Sequence, residues 1–297
     1  VWARSTSRSR EEPEDADIAR AIATEGRLML VAPLPLVGRF VGSNLTNSAQ
    51  EGMLVTASST AHVKGAWASL LDPTPRETHL LHLKIDSVAS SNVLTSMLMD
   101  IAYGPTGGGN EQILIPDLDV GAAPLLGKAY RFPLVVPAGV RLSARCQAVI
   151  ASDTARVKLM LAAMAPDRRF PCGPVVAYGI TASASEGTQH NEGSGTWGAW
   201  VSLGTTSRRH RLWTIGSDQG GDNSNVLNIS TRQLGIGPDS GNVTPIAQFV
   251  VCTTGAETIS GPVPDLAYAP VPSGTGLWLR SQGISGVGNV GACAYGM

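Results

Sequence analysis

Histidines, acidic pairs and tryptophans are the side chains here that could do chemistry, and their spacing limits what each can do. The five histidines are His62, His79, His82, His190 and His210. A metal site or a general base needs such groups to converge. His79 and His82 are three residues apart, which on a strand sends them to opposite faces, so they are expected to be exposed strand polars rather than co-ligands. His190 falls in a Ser/Gly/Thr-rich stretch. His210 lies in the basic run Arg208-Arg209-His210-Arg211, expected to be a solvated loop, with an acidic surface or a phosphate as its alternative partner. Asp117 and Asp119 alternate in Ile115-Pro116-Asp117-Leu118-Asp119. The run from Gly216 to Asn225 offers several oxygen ligands but lacks the spacing of a calcium loop, so a long polar turn is expected. Gly193-Ser194-Gly195 and Gly237-Pro238-Asp239-Ser240-Gly241 resemble hydrolase motifs only superficially, because the strand–turn–helix context is missing. No P-loop, dinucleotide fingerprint or zinc spacing occurs. No catalytic, cofactor-binding or metal-binding residue is therefore assigned, and no enzyme is expected.

Six tryptophans stand out among few aromatics: Trp2, Trp67, Trp197, Trp200, Trp213 and Trp278. Exposed indoles on β-sandwiches can hold sugars. Trp67 and Trp200 occupy equivalent places in an internal repeat, which predicts a core or inter-subunit role for both. Trp197 and Trp213 lack a tryptophan counterpart and are the candidates for sugar contact. The four cysteines, Cys146, Cys172, Cys252 and Cys293, lie far apart, form no CxxC pair, and are expected to be small buried hydrophobes.

The elements that must position these groups read as strands. Leu81, Leu83 and Ile85 alternate with His82, Lys84 and Asp86. Leu142, Ala144, Cys146 and Ala148 alternate with Arg141, Ser143, Arg145 and Gln147, and Val157, Leu159 and Leu161 repeat the pattern. Gly/Pro/Asn clusters punctuate these runs. Short strands at this spacing, with no convincing helix in the body, predict an all-β chain of antiparallel, jelly-roll-like β-sandwiches.

An internal repeat sets the domain organisation. Gly65-Ala66-Trp67-Ala68-Ser69-Leu70 returns as Gly198-Ala199-Trp200-Val201-Ser202-Leu203, Asn92-Val93-Leu94 as Asn225-Val226-Leu227, and Gly104-Pro105 as Gly237-Pro238. The differences 198 − 65, 225 − 92 and 237 − 104 all equal 133. Pro137-Ala138-Gly139 then matches Pro272-Ser273-Gly274, and Arg145 and Gln147 match Arg280 and Gln282, at an offset of 135. A two-residue insertion in a loop accounts for the change. Two tandem sandwiches are predicted, over residues 61–165 and 194–297, joined by a connector at 166–193. Residues 1–60 read as an arm: nine charges in its first twenty residues, a short helix from Pro13 to about Glu25, then an apolar piece broken by Pro33 and Pro35.

Composition excludes several classes. Charged residues are 15% and the net charge is −1, so bulk electrostatics favour neither nucleic acid nor an anionic membrane. No stretch approaches the ~20 apolar residues of a membrane helix, and no membrane insertion is expected. A polar, charged N-terminus gives no sign of a secretory leader.

The first half resembles a family of tailed-bacteriophage virion structural proteins. The likeness is carried by Tyr130-Arg131-Phe132-Pro133-Leu134-Val135-Val136-Pro137-Ala138-Gly139-Val140-Arg141-Leu142-Ser143-Ala144-Arg145-Cys146-Gln147, by Asp153-Thr154-Ala155-Arg156-Val157, and upstream by Ile115-Pro116-Asp117-Leu118. The second half departs, with Tyr268-Ala269-Pro270-Val271-Pro272-Ser273-Gly274 in the corresponding place. The resemblance implies a place in a virion, as tail fibre, baseplate or head spike, and no active site. The expected partners are other virion proteins bound through the arm, further copies in a homo-oligomer, and a host-surface glycan. A carbohydrate-binding module is the alternative. A glycan-degrading enzyme would need two carboxylates ~5–9 Å apart, and no such pair is apparent in the sequence.

Overall fold

Alternation of apolar and polar residues carries through to strands almost everywhere in the computed structural model. The residues it describes are 39–41, 52–88, 96–120, 128–163, 173–218, 227–254, 257–260, 266–283 and 289–297. The helix expected from Pro13 lies outside them. Nine strands make two sheets in the first half: β1 (Arg39–Val41), β2 (Met53–Thr56), β3 (Ala68–Leu71), β4 (Leu80–Val88), β5 (Met97–Gly104), β6 (Gln112–Asp119), β7 (Lys128–Phe132), β8 (Arg141–Ala148) and β9 (Thr154–Ala162). One sheet runs β1-β9-β4-β7, with β2 also on β9, and the other runs β3-β8-β5-β6. The second half holds β10 (Val176–Tyr178), β11 (Ile180–Thr181), β12 (Glu186–Asn191), β13 (Gly193–Ser194), β14 (Val201–Thr205), β15 (His210–Asp218), β16 (Leu227–Ile236), β17 (Thr244–Thr254), β18 (Glu257–Ser260), β19 (Ala267–Val271), β20 (Gly276–Gly283) and β21 (Asn289–Gly296). Its sheets run β11-β12-β21-β15-β19, with β10 on β21, and β13-β20-β16-β17-β18, with β14 on β20. The chain is all-β and its sheets are antiparallel apart from the short β13–β20 pairing. A three-residue 3-10 turn at Ala182–Ala184 is the one helical element among the described residues.

The two halves share one strand order. Sheet β3-β8-β5-β6 corresponds to β14-β20-β16-β17, and β9-β4-β7 to β21-β15-β19. Register agrees as well: Ala68 pairs Ala144 and Ser69 pairs Ser143 before a bulge, while Val201 pairs Leu279 and Ser202 pairs Trp278 before a bulge. A one-residue slip would turn every side chain over, so matched register is what preserves a duplicated core. Residues 176–193, read from composition as part of the connector, carry four strands built into the second half, the last of them ending at Ser194. Residues 39–41 and 53–56, read as part of the arm, pair with β9. Pairing through the backbone needs no apolar alternation, which is why composition does not reveal them.

Repeated contacts explain the repeated residues. The Gly65 N–H donates to the Cys146 carbonyl at 2.8 Å and the Gly198 N–H to the Ser281 carbonyl at 2.9 Å. A Cβ on Gly198 would lie 2.6 Å from the Asn191 carbonyl oxygen, so this close approach admits only glycine. The Thr74 hydroxyl donates to the Pro137 carbonyl at 2.7 Å and the Thr206 hydroxyl to the Pro272 carbonyl at 2.6 Å. Each threonine thus clamps its own Pro-x-Gly turn.

Each half buries its own core between its two sheets. Leu81, Leu83, Phe132 and Leu159 meet Met99, Ile101, Leu142 and Cys146 in the first, and Trp213, Val271 and Ala294 meet Leu234, Phe249 and Leu277 in the second. Strand β21 belongs to both. Ala292 and Ala294 enter the second core while Cys293, Tyr295 and Met297 enter the first. Residues 37–297 accordingly form one compact unit.

A polar knot marks the join. The Tyr295 hydroxyl accepts the Asp119 N–H at 2.6 Å and lies 3.0 Å from the Asp117 carbonyl, to which it donates. Tyr130 donates to the Asp119 carbonyl at 2.6 Å, and Lys128 pairs with the Asp119 carboxylate at 2.7 Å with both side chains buried. Tyr295 packs edge-on against Tyr130 and Phe132. Replacing Tyr295 by Phe keeps the ring and strands two buried backbone groups, so the expected cost is about 1–3 kcal/mol. Urea denaturation of the Tyr295→Phe chain should show a lower midpoint at unchanged slope.

Candidate functional site

Strands β8 and β5, and their repeats β20 and β16, place an arginine and a polar partner side by side on the outer face of one sheet in each half. In the first half Arg145 pairs across to Asp100, and in the second Arg280 pairs across to Gln233. Both arginines alternate with core residues on their strands, so their heads lie outward.

The first-half cluster is closed. Arg145 Nε donates to Asp100 Oδ2 at 2.9 Å. Lys64 Nζ bridges Asp100 Oδ1 at 2.9 Å and Asp117 Oδ1 at 2.6 Å. The Asp117 N–H adds a bond of 3.0 Å to Asp100 Oδ1, from a residue with φ +47°. The Arg145 guanidinium lies 4.4 Å over the Trp67 ring. Burial pushes the Asp100 carboxyl up, but the Lys64 charge and the bonds from Asp117, Lys64 and Arg145 outweigh it and hold the group below the usual aspartate range. Two positive and two negative side chains cancel.

The second-half cluster has the same frame and different chemistry. Arg280 Nε and Nη2 donate to Gln233 Oε1 at 2.9 and 2.8 Å. The guanidinium is 4.8 Å from the Trp197 ring centre and 4.4 Å from that of Trp200. Gln233 in turn donates to Gln248 on β17 at 3.3 Å. Trp278, two residues before Arg280 on the same face, donates to the Gly237 carbonyl at 2.9 Å. A Cβ on Gly235 would stand 2.9 Å from Trp200, so the missing side chain makes room for the indole. Trp197, Trp200, Trp278 and Arg280 are all partly exposed.

The tryptophans therefore sort differently from expectation. Trp67 and Trp200 stack on arginines at a sheet surface and belong to neither core. Trp213, expected at a sugar site, is fully buried and donates to the Ala269 carbonyl at 2.8 Å. Trp197 does stand on the outer face. Trp2 lies outside the described residues.

The histidines are mostly internal. His79 is buried beside Glu77, at 3.0 Å, instead of exposed, because it shares the inward face of Leu81 and Leu83. His82 is partly exposed on the opposite face, and burial together with the Arg131 charge lowers its pKa. His62 Nδ1 lies 3.0 Å from the Ser185 hydroxyl. His190 is buried on β12, 2.8 Å from the Ser281 hydroxyl, and burial with the Arg232 charge pushes it down to about 4. His210 is buried 2.7 Å from the Tyr178 hydroxyl, and burial with the Arg208 charge pushes it down to about 4. So the run 208–211 is anchored by a buried histidine rather than free in solvent. His190 and His210 are thus held as neutral imidazoles near pH 7.

Cys146 and Cys293 are buried, the Cys293 thiol donating to the Tyr295 hydroxyl at 3.1 Å, and burial raises Cys146 to about 12. Cys172 lies outside the described residues, as does the Cys252 side chain and most of the polar run 216–225. Gly237–Gly241 is a turn in which the Asp239 carboxylate accepts the Gly241 N–H at 2.9 Å. Among the described residues no group of three or more His, Cys, Asp or Glu side chains is placed to hold a metal ion, and no helix is long and apolar enough to cross a membrane.

No family model matches the sequence, and no curated protein matches it. Among solved structures it is similar to the tandem CBM22-1–CBM22-2 domains of Xyn10C from Paenibacillus barcinonensis, at 11% identity and TM-score 0.27 over 88% of this chain and 91% of that one. It is similar to PNGase F, a glycosylasparaginase from Flavobacterium meningosepticum, at 7% identity and TM-score 0.39 over 87% and 95%. It is similar also to the STIV MCP, at 10% identity and TM-score 0.30 over 82% and 96%. At these values the likeness transfers no activity to this chain.

Two titrations follow. Asp100 has a lowered folded pKa, so its contribution is present above the ordinary value of 3.8 and is lost as pH falls through the folded value. Asp100→Asn should cost about 3 kcal/mol at pH 7, as breaking a buried pair does, and flatten the loss of stability below about pH 4. His190, at 6.5 unfolded and about 4 folded, takes up its proton in the unfolded chain first. Stability is full above pH 6.5 and falls by about 3 kcal/mol on its account by pH 4. In the His190→Gln chain that share of the slope should vanish in urea titrations across this window.

Proposed function

We propose that this chain is a non-enzymatic structural component of a tailed-phage or phage-like virion, of the fibre, spike or baseplate kind, serving assembly and host attachment. The observation that carries the reading is one sandwich used twice and joined through a strand buried on both sides. Such a body supports position and repetition better than turnover, and the phage-like stretch Tyr130–Gln147 supplies its strand β7, the following turn and strand β8. The most deeply placed acids support it too: Asp100 and Asp119 are each held by cations, whereas a glycosidase needs one carboxyl that keeps its proton near neutral pH. The arm would dock onto a neighbouring virion protein, and identical sandwiches would gather into a closed homo-oligomer, where many weak contacts add up through geometry.

A second reading, a carbohydrate-binding module, is favoured by the partly exposed indoles around Arg280. Light scattering of the purified chain, with antibody labelling of intact particles, separates the two. The virion reading expects a closed oligomer and label at a head vertex or on the tail. A monomer absent from particles contradicts it and leaves the module.

A further inference from the structure

We infer that the outer face of the second sandwich, around Arg280, binds a saccharide carrying a carboxylate, such as a hexuronate-containing chain. The two halves argue this by contrast. Where the first has Asp100, the second has Gln233. Beside Gln233 stands Gln248, in the place Asp117 holds beside Asp100. Trp197 stands where Lys64 stands, since 197 − 64 gives the repeat offset of 133. Both acids have become amides and the lysine an indole, while the arginine and its tryptophan remain.

The chemistry of the face changes accordingly. Arg145 is neutralised by Asp100 at 2.9 Å. Arg280 makes no ion pair among the described residues, and its bonds to Gln233 use Nε and Nη2. Both Nη1 hydrogens and the second Nη2 hydrogen, the end fork of the guanidinium, are not used by Gln233, and the group already lies against the rings of Trp197 and Trp200. A carboxylate is the acceptor that such a fork fits, and flanking indoles keep water away from the pair and strengthen it. Sugars add apolar C–H faces that lie on indole rings and hydroxyls that suit the amides of Gln233, Gln248 and Gln282. The same frame in the first half, closed by its own four charges, has no such vacancy for an anion.

The inference rests on the attachment part of the proposed function, as the contact made with a host surface. Titration calorimetry and tryptophan emission would be followed with the full purified chain against oligogalacturonate, hyaluronan oligosaccharide, alginate oligosaccharide and oligosialate, with methyl-esterified oligogalacturonate as the neutral control. Saturable binding to at least one acidic saccharide is expected. For oligogalacturonate, esterification should weaken it by about tenfold or more. Gln233→Glu should abolish binding by giving Arg280 the partner that Arg145 already has, and Trp197→Ala should weaken it about tenfold. Both variants should melt within a few degrees of the parent, so that lost binding reports on the site and not on folding. No saturable binding to any of the four, equal binding of acid and ester, or full binding by Gln233→Glu overturns the inference. A chain that decorates particles but ignores these saccharides defeats the inference and spares the virion reading. One that binds them but is absent from particles does the reverse.

Discussion

The strand that ends the chain is buried on both sides, and the rest of the structure depends on it. β21 supplies alanines to its own sandwich and Cys293 and Tyr295 to the other, and Met297 just after it enters that other core too. A strand in that position cannot face water with either side, so from Val290 to Gly296 it reads Val-Gly-Ala-Cys-Ala-Tyr-Gly, small or apolar except for the Tyr295 hydroxyl, which is bonded to Asp117 and Asp119. Strands β6 and β7 end their sheets in the first sandwich, and unpaired edges of this kind invite aggregation. Asp119 at the end of β6, and Tyr130 and Phe132 on β7, are where Tyr295 packs. The second sandwich thereby covers what the first leaves open, and the polar knot of Asp119, Lys128 and Tyr295 fixes the register of the join. A Cβ on Gly216 would lie 2.8 Å from that of Asp119, so the neighbouring strand also gives up a side chain to the contact.

Duplication then left each copy free to change. At the same place in the core the first half has Met99 and the second Arg232, and Cys146 corresponds to Ser281. The second interior holds a buried Arg232, Glu192, Ser230 and His190, with Glu192 bonded to Ser230. The outer faces diverged the other way: the first closed its charges on one another, and the second kept a cation among indoles and amides. One backbone frame therefore carries a sealed ion-pair cluster and an open aromatic one, which is the difference between a stabilising contact and a surface able to meet a ligand.

Much of this was legible in the residues. The repeat offset located equivalent strands, and the parity of Leu142 through Ala148 put Arg145 and Gln147 on the outer face where they lie. The misses have physical causes. Trp67 and Trp200 lie in neither core, because each is held by an arginine about eighty residues further along the chain, on the strand paired with its own, a contact that only sheet register reveals. Trp213 looked unique and therefore available, but uniqueness marked a core filled differently from its copy. The strands at 176–194 lack alternation because Gly187 and Gly193 sit against neighbouring backbone, where side chains do not fit. Thr74 and Thr206 do not show as a repeat pair in the sequence because their offset is 132, one short of the repeat around them.

The central claim, that two copies of one sandwich are welded by β21 into a single body, is tested most directly by calorimetric unfolding of the whole chain. The account predicts one cooperative transition over residues 37–297, with calorimetric and van't Hoff enthalpies in agreement. Two separable transitions, each with the enthalpy of half the chain, would contradict it.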